Sequence, residues 1–176
     1  ADDTPSASAT SYAGVSGSAD GGYDATENDA EGLISTAGTI RGLRVRVNTA
    51  PANGAGTQSW TYTLRKGNSN CGTVTCAISE DETSCQDLTN TCTVAAGNEV
   101  ALQIVPANTP ASTAMQWTML FDSDTPGQSV GIGSTVGTGI ASATRYLQVA
   151  GSAAAGGQSG EESSFSPLPG SFTVKN

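Results

Sequence analysis

The residues best placed to form bonds beyond the backbone are four cysteines, Cys71, Cys76, Cys85 and Cys92, gathered in one short stretch of a 176-residue chain. Four cysteines allow three pairings. Residues 73–79 alternate as a strand, with Val74, Cys76 and Ile78 on one face. Glu80-Asp81-Glu82 then reads as a charged turn, and the chain returns through Cys85. A hairpin centred on that turn nests Cys76–Cys85 inside Cys71–Cys92. The two pairs are out of register, so one strand needs a bulge or a loose stretch, for which Asn90 and Gly72 are the candidates. Zinc fits less well, because no Cys-x-x-Cys knuckle exists and no histidine is present to complete a mixed site. Disulfides in turn imply an oxidising location.

Other chemistry is sparse. Without histidine the usual general base is missing, and Ser-His-Asp and Cys-His arrangements are excluded. Glu80-Asp81-Glu82 and Asp122-Ser123-Asp124 sit in expected turns, where acids bond to nearby backbone, rather than as an acid pair of glycosidase type. Asp24, Glu27, Asp29 and Glu31 offer oxygen ligands for calcium, but not at EF-hand spacing; a solvated acidic loop is the simpler reading. The glycine-rich run 131–139 follows no parallel strand and opens no helix, so it is no phosphate cradle. The chain is therefore read as non-enzymatic, with no cofactor.

Charge narrows the partners. The net charge is −9, which repels nucleic acid, and no basic stripe is available to release counterions. Arg41, Arg44 and Arg46 share one strand, and Arg65 and Lys66 end another. Seven acids precede Arg41 with no Lys or Arg among them. They form a solvated arm, or an arm that meets a basic strand in its own domain or a neighbouring subunit. No apolar run reaches the ~20 residues of a membrane span. Ala1 is compatible with signal-peptide cleavage or with loss of an initiator Met. The Ser/Thr-rich stretches 4–18 and 152–166 suit O-linked sugars or plain arm composition.

The elements that must carry these residues are strands. Period-two alternation places Leu43, Val45 and Val47 on one face, then Trp60, Tyr62 and Leu64, then Val100, Leu102 and Ile104, then Met115, Trp117, Met119 and Phe121. These four stripes predict the core of an all-β, two-sheet antiparallel sandwich with extended N- and C-terminal segments. Links rich in Pro, Gly, Asn and Asp separate them. At most a turn of helix fits residues 109–114.

An internal repeat is the most informative feature. Residues 10–19 and 144–153 share Thr-x-Tyr-x-x-Val-x-Gly-Ser-Ala, so Tyr12 and Val15 correspond to Tyr146 and Val149. The organisation expected is a flexible arm over 1–9, a sandwich over 10–143, and a segment over 144–176 that repeats the start of the domain (10–43). That last segment packs at home, as the first-ranked arrangement, or is donated to a neighbouring subunit by strand addition; an orphan start of a tandem module is the third reading.

The stretch 36–121 resembles a family of jelly-roll structural proteins of tailed phages and environmental phage contigs. The residues that carry the resemblance are Ser35-Thr36-Ala37-Gly38-Thr39-Ile40 with Leu43 and Val45, Pro51 with Gly54 and Gly56, and Trp60-Thr61-Tyr62-Thr63-Leu64-Arg65-Lys66. Val74-Thr75-Cys76 with Ile78-Ser79, Thr83-Ser84-Cys85 and Ala95-Ala96-Gly97-Asn98 with Val100 complete it. The resemblance implies a TNF- or C1q-like jelly roll, often trimeric, serving as capsid decoration, fibre or another virion surface part. Departures are the extra pair Cys71 and Cys92, Gly67 after Lys66, and the C-terminal half-copy. The function expected is thus a structural subunit of an extracellular assembly, foremost a phage virion surface protein that associates with itself and with other virion proteins. The alternatives are a secreted filament polymerised by exchanged terminal strands and, below it, a carbohydrate-binding module.

Overall fold

The computed structural model describes residues 4–15, 23–54 and 56–128. Eight strands and one helical turn follow in order: β1 (Ser11–Gly14), α1 (Glu27–Ala30), β2 (Gly32–Leu33), β3 (Gly38–Val47), β4 (Ser59–Lys66), β5 (Ser69–Ser79), β6 (Ser84–Val94), β7 (Glu99–Ala107) and β8 (Met115–Ser123). They form two antiparallel sheets, an all-β sandwich. One has the order β1-β7-β4-β5 with β2 also on β7; the other has the order β6-β3-β8. The helical turn falls at Glu27–Ala30, whereas residues 109–114, where a turn of helix was expected, run without regular structure. Thr113 is buried there and accepts a hydrogen bond from the Thr49 amide at 2.9 Å, which fixes the entry into β8 by side chain rather than by helix.

The alternating stripes become the core for the reason their period suggests: successive side chains of a strand point to opposite faces. Leu43, Val45 and Val47 from β3 meet Trp60, Tyr62 and Leu64 from β4 and Val100, Leu102 and Ile104 from β7, all buried. Burial of each large apolar side chain is worth roughly 1.5–3 kcal/mol. The fourth stripe behaves differently. Met115 is buried, but Trp117, Met119 and Phe121 are only partly covered.

Local chemistry sets the turns. Lys66 and Ser69 pair across the two-residue loop Gly67-Asn68, whose residues both have positive φ (51° and 62°), the backbone a tight hairpin between right-twisted strands demands. Gly42 has φ 68° and sits where β3 loses register with both its neighbours; opposite it, Leu88, Thr89 and Asn90 bulge out of β6. Residues 4–9 do not behave as a free arm: Pro5 is buried, Ala7 packs on the core, and the Ser6 amide donates to Ser11 Oγ at 3.0 Å.

A complete jelly roll has eight strands in two sheets, with its first strand lying beside its last. Here β1 pairs with β7 instead, Ser11–Gly14 opposite Ile104–Ala101. No strand lies beside β8 on the side away from β3, among the described residues.

Candidate functional site

The four cysteines staple the two sheets together at one side. Cys71 is bonded to Cys92 and Cys76 to Cys85, with Cα–Cα distances of 5.3 and 5.8 Å, the nested pairing expected from the sequence. The hairpin expected around them needs correction. A turn does close at residues 79–82, where the Glu82 amide donates to the Ser79 carbonyl at 3.0 Å. However, β5 and β6 belong to different sheets and share no backbone ladder among the described residues. The chain has turned a corner of the sandwich, and the disulfides take over where ladder bonds are lacking.

Both residues proposed to absorb the register difference lie in irregular backbone. Gly72 has φ 61°, and a Cβ there would stand 2.5 Å from the Thr91 carbonyl oxygen, so only glycine lets the strands approach this closely. Asn90 belongs to the β6 bulge, which is organised by Asp87, a residue the sequence reading passed over. Asp87 is 6% exposed. Its Oδ1 accepts from the amides of Thr89 (3.2 Å) and Asn90 (3.0 Å), and its Oδ2 accepts from the Thr75 amide (3.1 Å) and Asn90 Nδ2 (2.9 Å). One carboxylate thus ties β6 to β5. Burial alone would raise its pKa, but the bonds from Asn90, Thr75 and Thr89 outweigh this and hold it at about 2. The signal available in the sequence was an acid followed at the third residue by Asn in a strand otherwise lacking charge.

The acidic N-terminal region meets a basic residue of its own domain, in β4. Glu27 accepts a bidentate pair from Arg65, at 2.9 Å to Nη2 and 3.1 Å to Nε, with both side chains largely buried. Arg65 also donates to the Asn68 carbonyl at 2.7 Å, so the ion pair clamps α1 over the β4–β5 turn. Burial, then the charge of Glu99, raises the pKa of Glu31 beside it. Of the other acids considered for calcium, Asp24 exchanges backbone hydrogen bonds with Tyr12 (2.7 and 2.9 Å). No three potential metal-ligating side chains converge among the described residues.

The three arginines of β3 face outward. Arg41 pairs with Asp122 on β8, and Arg44 donates to Gln86 Oε1 at 2.7 Å. Arg44, Gln86, Arg46, Ser84, Gln116 and Thr118 border a shallow groove of about 650 Å³ on the outer face of the smaller sheet. Open to solvent, it brings no nucleophile and general base together. Trp60 is fully buried and Trp117 partly, with its side chain on the inner face of β8, so neither indole forms an exposed platform for a sugar.

The remaining feature is the edge of β8. Eight of its nine residues pair with β3 on one side, in two registers offset at Gly42. On the other side they carry unpaired backbone among the described residues, beside the half-covered Trp117, Met119 and Phe121. Tyr12, the assembly residue named in the first repeat copy, lies in β1, with its Oη accepting from Gln103 Nε2 at 3.2 Å; Val15 follows, packed on the core. Tyr146 and Val149 of the second copy, with the whole 144–176 segment, fall outside the described residues.

No helix among the described residues is long and apolar enough to cross a membrane. Two disulfides point to an oxidising, non-cytosolic environment. Comparison with protein-family models, curated proteins and solved structures gives no match for this chain.

Proposed function

We propose that this chain is a non-enzymatic structural subunit that assembles with copies of itself outside the cell. The observation that carries the reading is the edge of β8, unpaired among the described residues. An unpaired strand edge lying beside a partly covered apolar face is a template for a further strand, and natural sheets blunt such edges unless they are used. The rest of the molecule is consistent with a building block. Two disulfides and a buried carboxylate clip make the body rigid, and the outer groove lacks the paired groups that acid–base or nucleophilic chemistry requires. Sheet continuation by added strands gives head-to-tail contacts, which generate an open filament unless the rotation closes a ring.

A second reading, the surface subunit of a phage virion, has an observation of its own. Leu88 and Leu120 are 50% and 54% exposed, in the two strands that flank β3 at Gly42, and this suits packing of the smaller sheet's outer face against a neighbour. It agrees with the resemblance to jelly-roll virion proteins. Electron microscopy of the purified full chain, with light scattering across concentration, separates the readings. Filaments are the expected result, closed symmetric particles favour the virion-type subunit, and a monomer at every concentration overturns both.

A further inference from the structure

We infer that the place beside β8 is the acceptor for residues 144–150 of a neighbouring copy of this chain. The inference rests on the structural-subunit reading above and names the segment that would complete the sheet.

Four observations lead there. First, the side of β8 that is unpaired among the described residues corresponds to the position of a jelly roll's first strand, while β1 pairs with β7. Second, the chain contains a second copy of the segment that forms β1, Thr144-Arg145-Tyr146-Leu147-Gln148-Val149-Ala150. A first-strand sequence is therefore present twice, and among the described residues a first-strand position is open once. Third, the side chains suit the position. In β1 the inward residues are Ser11 and Ala13, both buried, followed by Val15 on the core. Their counterparts in the second copy are Arg145, Leu147 and Val149. A strand beside β8 would turn Leu147 and Val149 toward Trp117, Met119 and Phe121, where large apolar groups are wanted, while Arg145 falls at the strand end near solvent. Ala13 to Leu147 is the change in bulk expected for a place less filled than the one β1 occupies.

Fourth, the connection favours a neighbour as the source. Twenty residues, 124–143, separate the end of β8 from Thr144, whereas hairpin connections take 2–5 and structureless loops beyond about 12–15 are uncommon. Fully extended, the fifteen residues 129–143 reach about 50 Å, more than the roughly 35 Å diameter of a body this size. The connection is longer than an adjacent return needs and long enough to cross to the next copy. Strand addition supplies affinity through the backbone and register through alternate side chains, so one contact repeated head to tail would build the polymer.

The test uses the full chain. Leu147 is replaced by a photoreactive phenylalanine analogue, heavy-isotope-labelled and unlabelled chains are mixed before assembly, and crosslinked peptides are mapped by mass spectrometry. The expected result is crosslinks from position 147 to the peptide containing Met115–Ser123, with mixed labels. Same-label crosslinks to β8 would place the segment at home; crosslinks elsewhere, or none to β8, likewise overturn the inference. In parallel, Leu147→Asp with Val149→Asp in the full chain is expected to raise the concentration needed for polymer about a hundredfold, with circular dichroism and both disulfides unchanged. Polymers that persist at the wild-type concentration defeat the inference and leave the subunit reading standing. A wild-type chain that never assembles defeats that reading itself. Should the double variant misfold, the crosslinks decide alone.

Discussion

The β5–β6 corner and the β8 edge lie at opposite sides of the same smaller sheet, and they treat exposed strand backbone in opposite ways. At the corner, two edges from different sheets are drawn together without a ladder. Two disulfides, the Asp87 carboxylate and a close approach at Gly72 hold them. At β8 there is no staple, no bulge on the free side and no partner among the described residues, and the apolar side chains beneath it are half covered. An edge protected by covalent bonds is closed to association, whereas an edge left flat beside an apolar face invites it. The difference separates a side fixed by covalent bonds from one whose edge is unpaired among the described residues.

The largest effect expected from breaking the permanent side comes from reduction. Closing the 21-residue separation of Cys71–Cys92 restricts the unfolded chain by about 3 kcal/mol, and the 9-residue separation of Cys76–Cys85 by about 2.5 kcal/mol. The loops are nested, so their restrictions overlap. Loss of both is expected to cost roughly 4 kcal/mol in urea unfolding of the reduced, alkylated chain against the oxidised one. Equal midpoints would mean that the corner holds without its bonds.

Asp87→Ala follows, at roughly 1–3 kcal/mol, because it removes the charged acceptor of the partly buried Thr75, Thr89 and Asn90 amides. The pH dependence has a definite sign. The folded carboxyl titrates at about 2, below its ordinary value of 3.8. Its contribution is thus complete above pH ~4 and lost as the pH falls toward 2. Raised rather than lowered, Glu31 works in the opposite direction over its own range, since protonation relieves its burial and its repulsion from Glu99. Denaturation midpoints between pH 5 and 2 should therefore fall less steeply in Asp87→Ala than in the wild type; parallel curves would remove Asp87 from the account.

Gly72→Ala tests the close approach. The positive φ and the 2.5 Å contact of a Cβ with the Thr91 carbonyl together cost about 2 kcal/mol. The same substitution at Gly97, φ 85° with open space around it, should cost only the backbone share of that. Similar losses at the two sites would show that strand proximity at the corner plays no part.

Much of this contrast could be read from the residues and part could not. Alternation alone placed Leu43, Trp60, Tyr62 and Leu102 in the core, and charge at Glu80-Asp81-Glu82 located the turn that nests the disulfides. What alternation cannot report is which sheet a strand joins, so β5 and β6 read as a hairpin although they line a corner. Nor does it report how fully a stripe is covered. Trp117, Met119 and Phe121 carry the same pattern as the buried stripes, and what distinguishes them is the lack of a neighbour beyond β8 among the described residues. Asp87 escaped notice because its importance comes from the β5 amide it reaches, a contact between strands. The repeat at residues 144–153 is legible in the sequence, whereas the pairing of β1 with β7 is not, because alternation carries no information on strand partners.

The smallest expected effect sharpens the comparison most. Val74→Ala, at the fully buried corner, removes two methyl groups from a packed site and should cost about 2 kcal/mol. Met119→Ala removes a larger side chain, yet in the isolated monomer it should cost only about 1 kcal/mol or less, because part of that surface already faces water. In the assembled state the order should reverse, since an added strand would bury Met119 on its remaining side. The measurement is urea unfolding of each variant at monomeric dilution and again after assembly. If Met119→Ala already costs more than Val74→Ala in the monomer, β8 is covered by its own chain. The two sides of the smaller sheet would then both be closed, and the polymer would have to form through another face.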